Sequence, residues 1–438
     1  MFPSDNDLKA IEQLVTGIYI DSAPGGAILL SKGGQVIYRH GIGQANLEHE
    51  IPITPEMPFR LASLTKPFTA TAILMLAEAD QLALTDPVTR FLPNYPTSDP
   101  PITIEHLLTH TSGIRNYTEL PEWWAVHRQD LNVTQLIDLF RSQPSVFIPG
   151  TRWAYCNSGY ALLGAVIEKA SGQEYGRFIE EHIFKPLEMR QSYYEATSTR
   201  VISKLVSGYS KISDVYTHPE YLSYTQVYAA GGLISSVDDL ARWYAALRRG
   251  KLISSATLQR MWRPYLLSNG ESSCYGYGWI VSAYQEHQVV EHYGLLPGFA
   301  NYLLALPDDD VLAVVLSNDD SKVNQTERLA FELASRALGE PYQPPTPVTL
   351  TREQLKQFAG QYKVQDEIAV TILYEADCLY IQTADGQKLE LRPLTPFEFF
   401  FPQIPVSRIR FVHDVDQQII ELVWTPRQKI PVRAQKAP

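Results

Sequence analysis

The stretch FRLASLTKPF, residues 59–68, carries a serine three positions before a lysine, and a proline follows the lysine at once. Residues three apart share one face of a helix, so Ser63 and Lys66 would project together. Pro67 lacks a backbone N–H and is tolerated only in a first turn, which predicts that the helix begins close to Ser63. The hydroxyl would then lie at a helix N-terminus, where free N–H groups favour developing negative charge. A serine nucleophile needs a base, and a desolvated lysine with a lowered pKa can serve.

A second motif is RWAYCNSGY, residues 152–160, which offers Tyr155 and Asn157 on a loop before a predicted helix. A phenol beside an ammonium group favours its ionised form and can take up a proton. An asparagine amide can both donate to and accept from a substrate amide or ester. The alternative is that Tyr155 packs in the core and Asn157 caps the helix, which asparagine does well.

The third motif is VEHYGLLPGF, residues 290–299, where His292 precedes Gly294 at a predicted strand end. A glycine in this position lets a ligand approach the backbone closely. The alternative is that His292 is structural.

The Ser63 and Lys66 motif also has an alternative explanation. A serine three residues before a lysine arises by chance roughly once in a chain of this size and composition.

The composition excludes several classes of protein. The chain of 438 residues is 45% hydrophobic and 19% charged, so it can build a core and is not typical of disorder. Its net charge of −11 opposes non-specific binding to nucleic acid or to an anionic membrane surface. The three cysteines lie far apart, so neither a zinc site nor a disulfide scaffold is indicated. We expect no cofactor and no metal ion.

The N-terminal residues MFPSDNDLKAIEQLV lack the basic and long apolar regions of a signal peptide. No apolar run reaches membrane-spanning length. If Met1 is the natural start, we expect a cytoplasmic protein; a trimmed export signal would indicate a periplasmic or secreted one.

The order of periodic segments predicts an α/β (α+β) domain. Residues 8–18 have helical periodicity, and residues 26–43 have the alternation of a β-hairpin around a Lys-Gly-Gly turn. Residues 100–260 are mostly helical, several strands follow, and residues 324–338 form a closing helix. Strands at both ends of this region predict one antiparallel sheet, flanked by helices and carrying a helical insert.

A boundary follows this domain. Residues 339–349 contain four prolines, as linkers do. Residues 350–438 are short β-like runs that favour a small antiparallel barrel. We therefore predict a domain of residues 1–338, a proline-rich linker of residues 339–349 and a barrel of residues 350–438.

The three motifs occur once each, in the order Ser-x-x-Lys, Tyr-x-Asn and His-x-Gly. This order and wording resemble the serine hydrolases of the β-lactamase and penicillin-binding fold, in the branch of class C β-lactamases, D-Ala-D-Ala carboxypeptidases, D-aminopeptidases and esterases. The similarity covers roughly residues 20–320, and residues from 350 resemble the lipocalin-like barrel of some members. The stretches that carry it are FRLASLTKPFTA, ITIEHLLTHTSGI, YCNSGYALLGAVIEKASG, AAGGLISSVDDLARW, YGYGW and HYGLLPGF.

The resemblance implies roles for the catalytic residues. Ser63 would be the acyl-accepting nucleophile, and Lys66 would help to deprotonate it. Tyr155 would shuttle protons to the leaving group and from the deacylating water. The oxyanion hole would consist of the backbone N–H groups of Ser63 and Leu295, each donor of this kind being typically worth about 3 to 4 kcal/mol.

The resemblance also implies substrate-binding residues. Asn157 would contact the acyl side of the substrate, and His292 with Gly294 would replace the Lys-Thr-Gly triplet of the classical enzymes. Histidine is only partly charged near neutral pH, so it holds a substrate carboxylate less well than lysine does. An esterase or a peptidase acting on D-residues is therefore favoured over an efficient β-lactamase. In the family the block around His110 is structural, and we expect it to brace the domain near the site.

Two aromatic stretches are candidate walls of a substrate cleft. Residues 114–127 contain Tyr117, Trp123 and Trp124, and residues 221–232 precede a glycine pair. The alternative is a packed surface loop.

A competing function is a penicillin-binding sensor or scaffold that acylates without turnover. A homo-oligomer formed through the C-terminal barrel is one interpretation of that domain.

Overall fold

Strands from both ends of the first unit pair in one six-stranded antiparallel sheet in the computed structural model of the chain. The structure describes residues 5–195, 197, 199–343, 345–364, 367–383, 388–402, 404–425 and 432–437. The chain divides into two compact units, Met1–Gly339 and Glu340–Pro438.

The helices, numbered along the chain, have the following bounds: α1 Asp5–Ile18, α2 Lys66–Glu78, α3 Ile104–Leu108, α4 Pro121–Val126, α5 Val133–Asp138, α6 Asn157–Ser171, α7 Tyr175–Ile179, α8 Tyr228–Gly231, α9 Val237–Arg248, α10 Ser255–Met261, α11 Val323–Leu338 and α12 Arg352–Lys356. The strands of the first unit are β1 Gly26–Lys32, β2 Gln35–Ile42, β3 Gln44–Asn46, β4 Ile51–Pro52, β5 Phe59–Arg60, β6 Tyr193–Tyr194, β7 Ser210–Ile212, β8 Val215–Thr217, β9 Leu233–Ser235, β10 Ile280–Tyr284, β11 His287–Leu296, β12 Phe299–Leu306 and β13 Val311–Ser317.

The large sheet has the strand order β10-β11-β12-β13-β1-β2. Strand β13, with the sequence VLAVVLS, is buried along its whole length. A continuous apolar run of this kind suits a central strand that is covered on both faces. Helix α11 packs on β12 and β13, and α9 packs on β1 and β13.

Helix α2 begins at Lys66 and has Pro67 in its first turn. Its residues from Lys66 to Leu74 are all buried, and it contacts α6, α7 and α8. A helix that is apolar all round belongs inside a domain, because every face must then be covered. The catalytic candidates Ser63 and Lys66 therefore lie at the N-terminal end of a buried helix.

The second unit is a closed antiparallel barrel. Its strands are β14 Gly360–Val364, β15 Glu367–Glu375, β16 Cys378–Thr383, β17 Lys388–Pro393, β18 Glu398–Phe401, β19 Ile404–His413, β20 Ile419–Thr425 and β21 Val432–Lys436. Pairing of β14 with β21 closes the ring and removes the sheet edges. Aromatic side chains fill its core, where the rings of Phe358 and Phe411 lie 4.5 Å apart between centroids.

The sheet built from both ends of the first unit and the C-terminal barrel confirm the predicted fold class. One difference concerns the middle region, which also contains short strands. Strand β9 pairs with β5, in the register Phe59 to Ser235, and so anchors the stretch that leads to Ser63. A three-residue strand is too short to leave a periodic signal in the sequence. Within the described residues, no helix has the length and apolar character needed to cross a membrane.

Candidate active site

The nucleophile candidate lies on a tight turn between β5 and α2. Residues Ala62–Thr65 form one turn of 3₁₀-helix that runs directly into α2. Ala62 has a φ of 52°, in the left-handed region that an L side chain rarely adopts. Leu61 donates its N–H to the Leu233 carbonyl across 2.9 Å, which ties this turn to β9. Backbone strain of this kind persists only where the surroundings hold it, and it is frequent at functional sites.

Lys66 is fully buried, and its amine meets three oxygen atoms. Nζ lies 3.0 Å from Ser63 Oγ, 2.9 Å from Asn157 Oδ1 and 2.9 Å from the Ala230 carbonyl oxygen. Burial lowers the pKa of Lys66 well below its ordinary value, because desolvation disfavours the charged form. A neutral amine keeps two N–H donors for Asn157 and Ala230, and its lone pair then faces the Ser63 hydroxyl. The arrangement is that of a base beside a nucleophile.

Tyr155 lies against the same amine. Lys66 Nζ is 4.7 Å from the centroid of the Tyr155 ring. Among the described residues no group completes a well-formed hydrogen bond to the buried Tyr155 hydroxyl. Burial raises the pKa of Tyr155 well above its ordinary value, and Tyr293 adds to this, although the Ser63 hydroxyl opposes it. The expected ionised phenol is therefore wrong: desolvation outweighs the nearby amine, and Tyr155 is a neutral donor.

Asn157 is the first residue of α6, and its side chain does not cap that helix. Its Oδ1 accepts from Lys66, and its Nδ2 donates to Thr118 Oγ1 across 3.3 Å. The backbone N–H of Asn157 is satisfied by Asn116 Oδ1 at 3.1 Å. The capping alternative is thus not what the structure contains, because Asn116 provides the oxygen at this helix end.

Strand β11 ends beside the turn of residues Ala62–Thr65 that carries Ser63, called the nucleophile turn below. A Cβ on Gly294 would lie only 2.1 Å from the Leu61 carbonyl oxygen, so no larger residue fits without moving the strand or the turn. Leu295 follows, is 46% exposed and lines the cleft in which Ser63 lies. The close approach of two backbone segments explains the glycine and brings Leu295 to the cleft.

His292 lies behind the cleft. It is fully buried, its Nδ1 is 2.7 Å from the Tyr293 carbonyl oxygen and its Nε2 is 3.0 Å from Tyr275 Oη. A carbonyl oxygen only accepts, so Nδ1 carries a proton. His292 is absent from the described residues that line the cleft, and its ring centroid is 6.2 Å from that of Tyr155. The geometry supports a role in packing beneath Tyr155 and gives no direct route to a substrate carboxylate.

The cleft has a volume of about 630 Å³ and largely apolar walls. Both aromatic stretches singled out in the sequence contribute to it. Tyr117 is buried and donates its hydroxyl to the Gln226 carbonyl across 2.5 Å, whereas Trp124 is 57% exposed at the cleft. The described residues that line it are Ala62, Ser63, Tyr117, Thr118, Trp123, Trp124, His127, Asn157, Ser210, Glu220, Leu222, Val227, Ala230, Gly231, Leu295, Leu296, Pro297 and Asp320.

Sequence reasoning assigned no function to several groups in this neighbourhood. The Ala230 carbonyl lies in a predicted wall, but nothing in the sequence indicates that it would accept from Lys66. Tyr275 belongs to the block YGYGW, which resembles the family but gave no functional role for Tyr275. Glu220 directly precedes the predicted wall of residues 221–232, and Asp320 follows strand β13; neither was assigned a role. Among the residues that the structure describes, no group of three or more His, Cys, Asp or Glu side chains is arranged to hold a metal ion.

Comparisons with known proteins identify relatives of this chain. Penicillin-binding protein 4* of Bacillus subtilis (strain 168) is 32% identical over 406 residues, 87% of this chain and 89% of that protein. A D-aminopeptidase of Gluconobacter oxydans (strain 621H) is 28% identical over 333 residues, 73% of this chain and 60% of its own length. The structure of an octameric penicillin-binding protein homologue from Pyrococcus abyssi has a TM-score of 0.68 at 26% identity, and covers 98% of this chain and 99% of that one.

The predicted resemblance is confirmed by the family comparison. The model of the Beta-lactamase family matches residues 10–337, which contain the stretches around Ser63, Tyr155 and His292. The chain therefore belongs to the Beta-lactamase family of serine hydrolases.

Proposed function

We propose that the protein hydrolyses small esters or amides, including peptides with D-residues, through an acyl-enzyme on Ser63. The observation that carries this proposal is the 3.0 Å contact between Ser63 Oγ and the fully buried amine of Lys66. A buried amine with a lowered pKa is neutral at a pH where a free lysine is charged, and only the neutral form can accept a proton.

The acylation step balances as follows. Lys66 takes the hydroxyl proton of Ser63 while Oγ bonds to the substrate carbonyl carbon, and the carbonyl electron pair moves onto oxygen. The N–H groups of Ser63 and Leu295 donate to this oxyanion. Collapse of the intermediate breaks the bond to the leaving group, which receives a proton from Tyr155. Tyr155 in turn takes the proton held by Lys66.

Deacylation uses the same groups in the reverse order, with water as the nucleophile. A water molecule attacks the acyl carbon and gives up a proton through Tyr155 and Lys66. The hydroxide stays on the acyl group, and Ser63 Oγ leaves with the proton. The raised pKa of Tyr155 supports this relay, because a neutral phenol can donate one proton and accept another without carrying charge.

The cleft supports neutral or cationic substrates with an apolar group. Its lining includes two carboxylates, Glu220 and Asp320, and among the described residues it includes no lysine or arginine. His127 and Arg128 contact Glu220, whereas Asp320 accepts from the neutral donors Ser210 Oγ and Gly298 N–H. A substrate carboxylate would meet like charge at Asp320, which disfavours β-lactams and D-alanyl termini. The relative named a D-aminopeptidase is consistent with a substrate that carries an amine.

The test is intact-mass spectrometry after incubation with a fluorophosphonate, followed by peptide mapping. We expect one adduct on Ser63 and none in the Ser63→Ala variant. Absence of an adduct, under conditions that label a control serine hydrolase, would overturn the proposal.

A second candidate is a penicillin-binding sensor or scaffold, which the name of the Bacillus relative favours. Such a protein acylates once and does not deacylate. Steady turnover of a chromogenic ester would exclude it, whereas a stoichiometric burst without turnover would support it.

We also propose that the protein forms a homo-oligomer. The support is the octameric homologue from Pyrococcus abyssi, which is similar to nearly the whole chain. Light scattering coupled to size exclusion should give a mass several times that of the 49.4 kDa chain, and a monomeric mass would refute this.

A further inference from the structure

His110 holds the backbone on both sides of Tyr155. Its carbonyl oxygen accepts the N–H of Ala154 across 3.0 Å, and its ring Nδ1 accepts the N–H of Cys156 across 3.1 Å. The residue is buried and has a φ of 59°, a left-handed conformation that directs its main chain and its ring toward the same loop. The loop that carries Tyr155 is therefore clamped at two points by one residue of a distant segment.

These contacts define the tautomer of His110. A backbone N–H can only donate, so Nδ1 has no proton and the imidazole carries its proton on Nε2. Among the described residues, no acceptor meets the buried Nε2. The ring is enclosed by Tyr155, Tyr275 and Tyr160, with centroid distances of 4.5, 4.7 and 5.1 Å.

The surroundings keep this ring neutral. Burial lowers the pKa of His110 well below its ordinary value, because desolvation disfavours the charged ring. A protonated ring would lose its acceptor toward Cys156 and would place a cation in an apolar enclosure. His110 also lies outside the described residues that line the cleft, so it has no route to a substrate atom.

We propose that His110 is a positioning residue whose Nδ1 acceptor holds the Tyr155–Asn157 segment in catalytic register. This inference rests on the proposed function and extends it. The segment has further anchors, since Cys156 Sγ donates to the Ile114 carbonyl across 3.3 Å and Asn157 N–H donates to Asn116. Cys156, the N-cap of α6, makes no side-chain capping bond, and the His110 ring satisfies its backbone N–H.

Catalysis by Tyr155 and Asn157 depends on their distances from the Lys66 amine. Asn157 reaches Lys66 at 2.9 Å, and Tyr155 lies with its ring 4.7 Å from the same amine. A misplacement of about 1 Å in such a group can cost about 100-fold in rate. Release of the Cys156 N–H would let the peptide between Tyr155 and Asn157 rotate, and both side chains would lose this geometry together.

Three variants of His110 separate the effect of its Nδ1 acceptor from the effects of its ring and of its positive φ. Asparagine tolerates a positive φ and places Oδ1 near the position of Nδ1, so His110→Asn should keep most of kcat. Glycine suits the φ but has no acceptor, and leucine has the size of asparagine without an acceptor. We expect His110→Gly and His110→Leu to lose about 100-fold in kcat, because Tyr155 and Asn157 are displaced together.

The readouts are kcat and KM on a chromogenic ester, the rate of Ser63 labelling, and melting temperature by calorimetry. Where His110→Leu fails to fold because of its positive φ, His110→Gly carries the test. Wild-type kcat in a folded His110→Gly protein would overturn the proposal. So would a folded His110→Asn protein as impaired as His110→Gly.

Failure of the proposed function can be told apart from failure of this inference. If wild-type protein gives no Ser63 adduct, the function fails, but the tautomer of His110 is still measurable by ¹⁵N NMR of labelled histidine. An unprotonated Nδ1 with slow exchange of the Cys156 amide supports the clamp. A charged ring, or a proton on Nδ1, refutes it whatever the activity.

Discussion

The side-chain amine of Lys66 donates to the amide oxygen of Asn157 across 2.9 Å, although 91 positions separate the two residues. The same amine reaches Ser63 three positions away and the Ala230 carbonyl 164 positions away. One buried nitrogen thus joins the nucleophile turn, the start of α6 and the helix α8. Its protonation state should govern both activity and stability.

Replacement of Lys66 by methionine tests that protonation state. Because the folded pKa of Lys66 lies below its ordinary value of 10.5, the unfolded chain binds more protons at this residue between those two values. Stability contributed by wild-type Lys66 must therefore rise with pH across this window. We expect the melting temperature of wild type, minus that of Lys66→Met, to increase as the pH rises toward 10.5.

The same variant should lose about 100- to 10,000-fold in kcat, as removal of a general base does. Calorimetry in buffers of matched ionic strength measures the first effect, and ester hydrolysis measures the second. A difference in melting temperature that stays flat with pH would mean that Lys66 titrates normally in the folded protein.

The Tyr155 hydroxyl should matter for rate and not for stability. Tyr155→Phe removes a buried hydroxyl that no described residue satisfies, so the melting temperature should stay constant or rise. The kcat should fall by about 100- to 10,000-fold. Tyr160→Phe is the matched control: its hydroxyl donates to the Leu108 carbonyl across 2.9 Å, so stability should fall by about 1 kcal/mol while activity is kept. Reversed results for the two variants would contradict the relay.

A methyl group at Gly294 should disrupt the site through the backbone. Gly294→Ala brings Cβ within 2.1 Å of the Leu61 carbonyl oxygen, so β11 or the nucleophile turn must move. We expect a loss of about 1 to 3 kcal/mol of stability and about 100-fold in kcat. Gly17→Ala is the control, because a Cβ there meets no atom within 4 Å on helix α1. Wild-type kinetics in Gly294→Ala would show that this close approach does not shape the site.

Charge at the cleft should select among matched esters. The measurement is kcat/KM for three nitrophenyl esters whose acyl chains end in an ammonium, a methyl or a carboxylate group. The carboxylate ester should have the lowest kcat/KM, since the Asp320 carboxylate repels it. Asp320→Asn should narrow the difference between the ammonium and methyl esters. A preference for the carboxylate ester would contradict the proposed substrate class.

The junction between the two units should be open to proteases. We propose domains of residues 1–338 and 350–438 joined by a linker of residues 339–349, and the described residues from 340 to 350 form no helix or strand. Limited proteolysis followed by mass spectrometry should give first cuts within the linker. Early cuts inside α2 or β13 instead would argue against these boundaries.

Much of the fold was predictable, because its signals are local. The hairpin of β1 and β2, the helix after Ser63 and the closing helix α11 were each visible as a periodicity or a turn within a few residues. Pro67 also correctly predicted a helix that begins beside Ser63 and Lys66. The short strand β9 was missed, because its role is to pair with β5 far away in the chain.

The protonation of Tyr155 could not be predicted in the same way. The sequence shows a phenol and an amine in nearby motifs, which alone favours ionisation. Burial reverses that conclusion, since desolvation is set by every segment that covers the group. His292 is a similar case: its strand position was predicted, but its complete burial against Tyr275 was not.

The sequence by itself determined the main helices and strands and the helix start that places Ser63 beside Lys66, because helix periodicity, proline and glycine act over a few residues. The tertiary structure alone decided which groups surround Lys66 and that His110 holds the loop of Tyr155 from 46 positions away. The physical reason is that burial and hydrogen-bond partnership arise between distant segments. They exist only once the whole domain has packed.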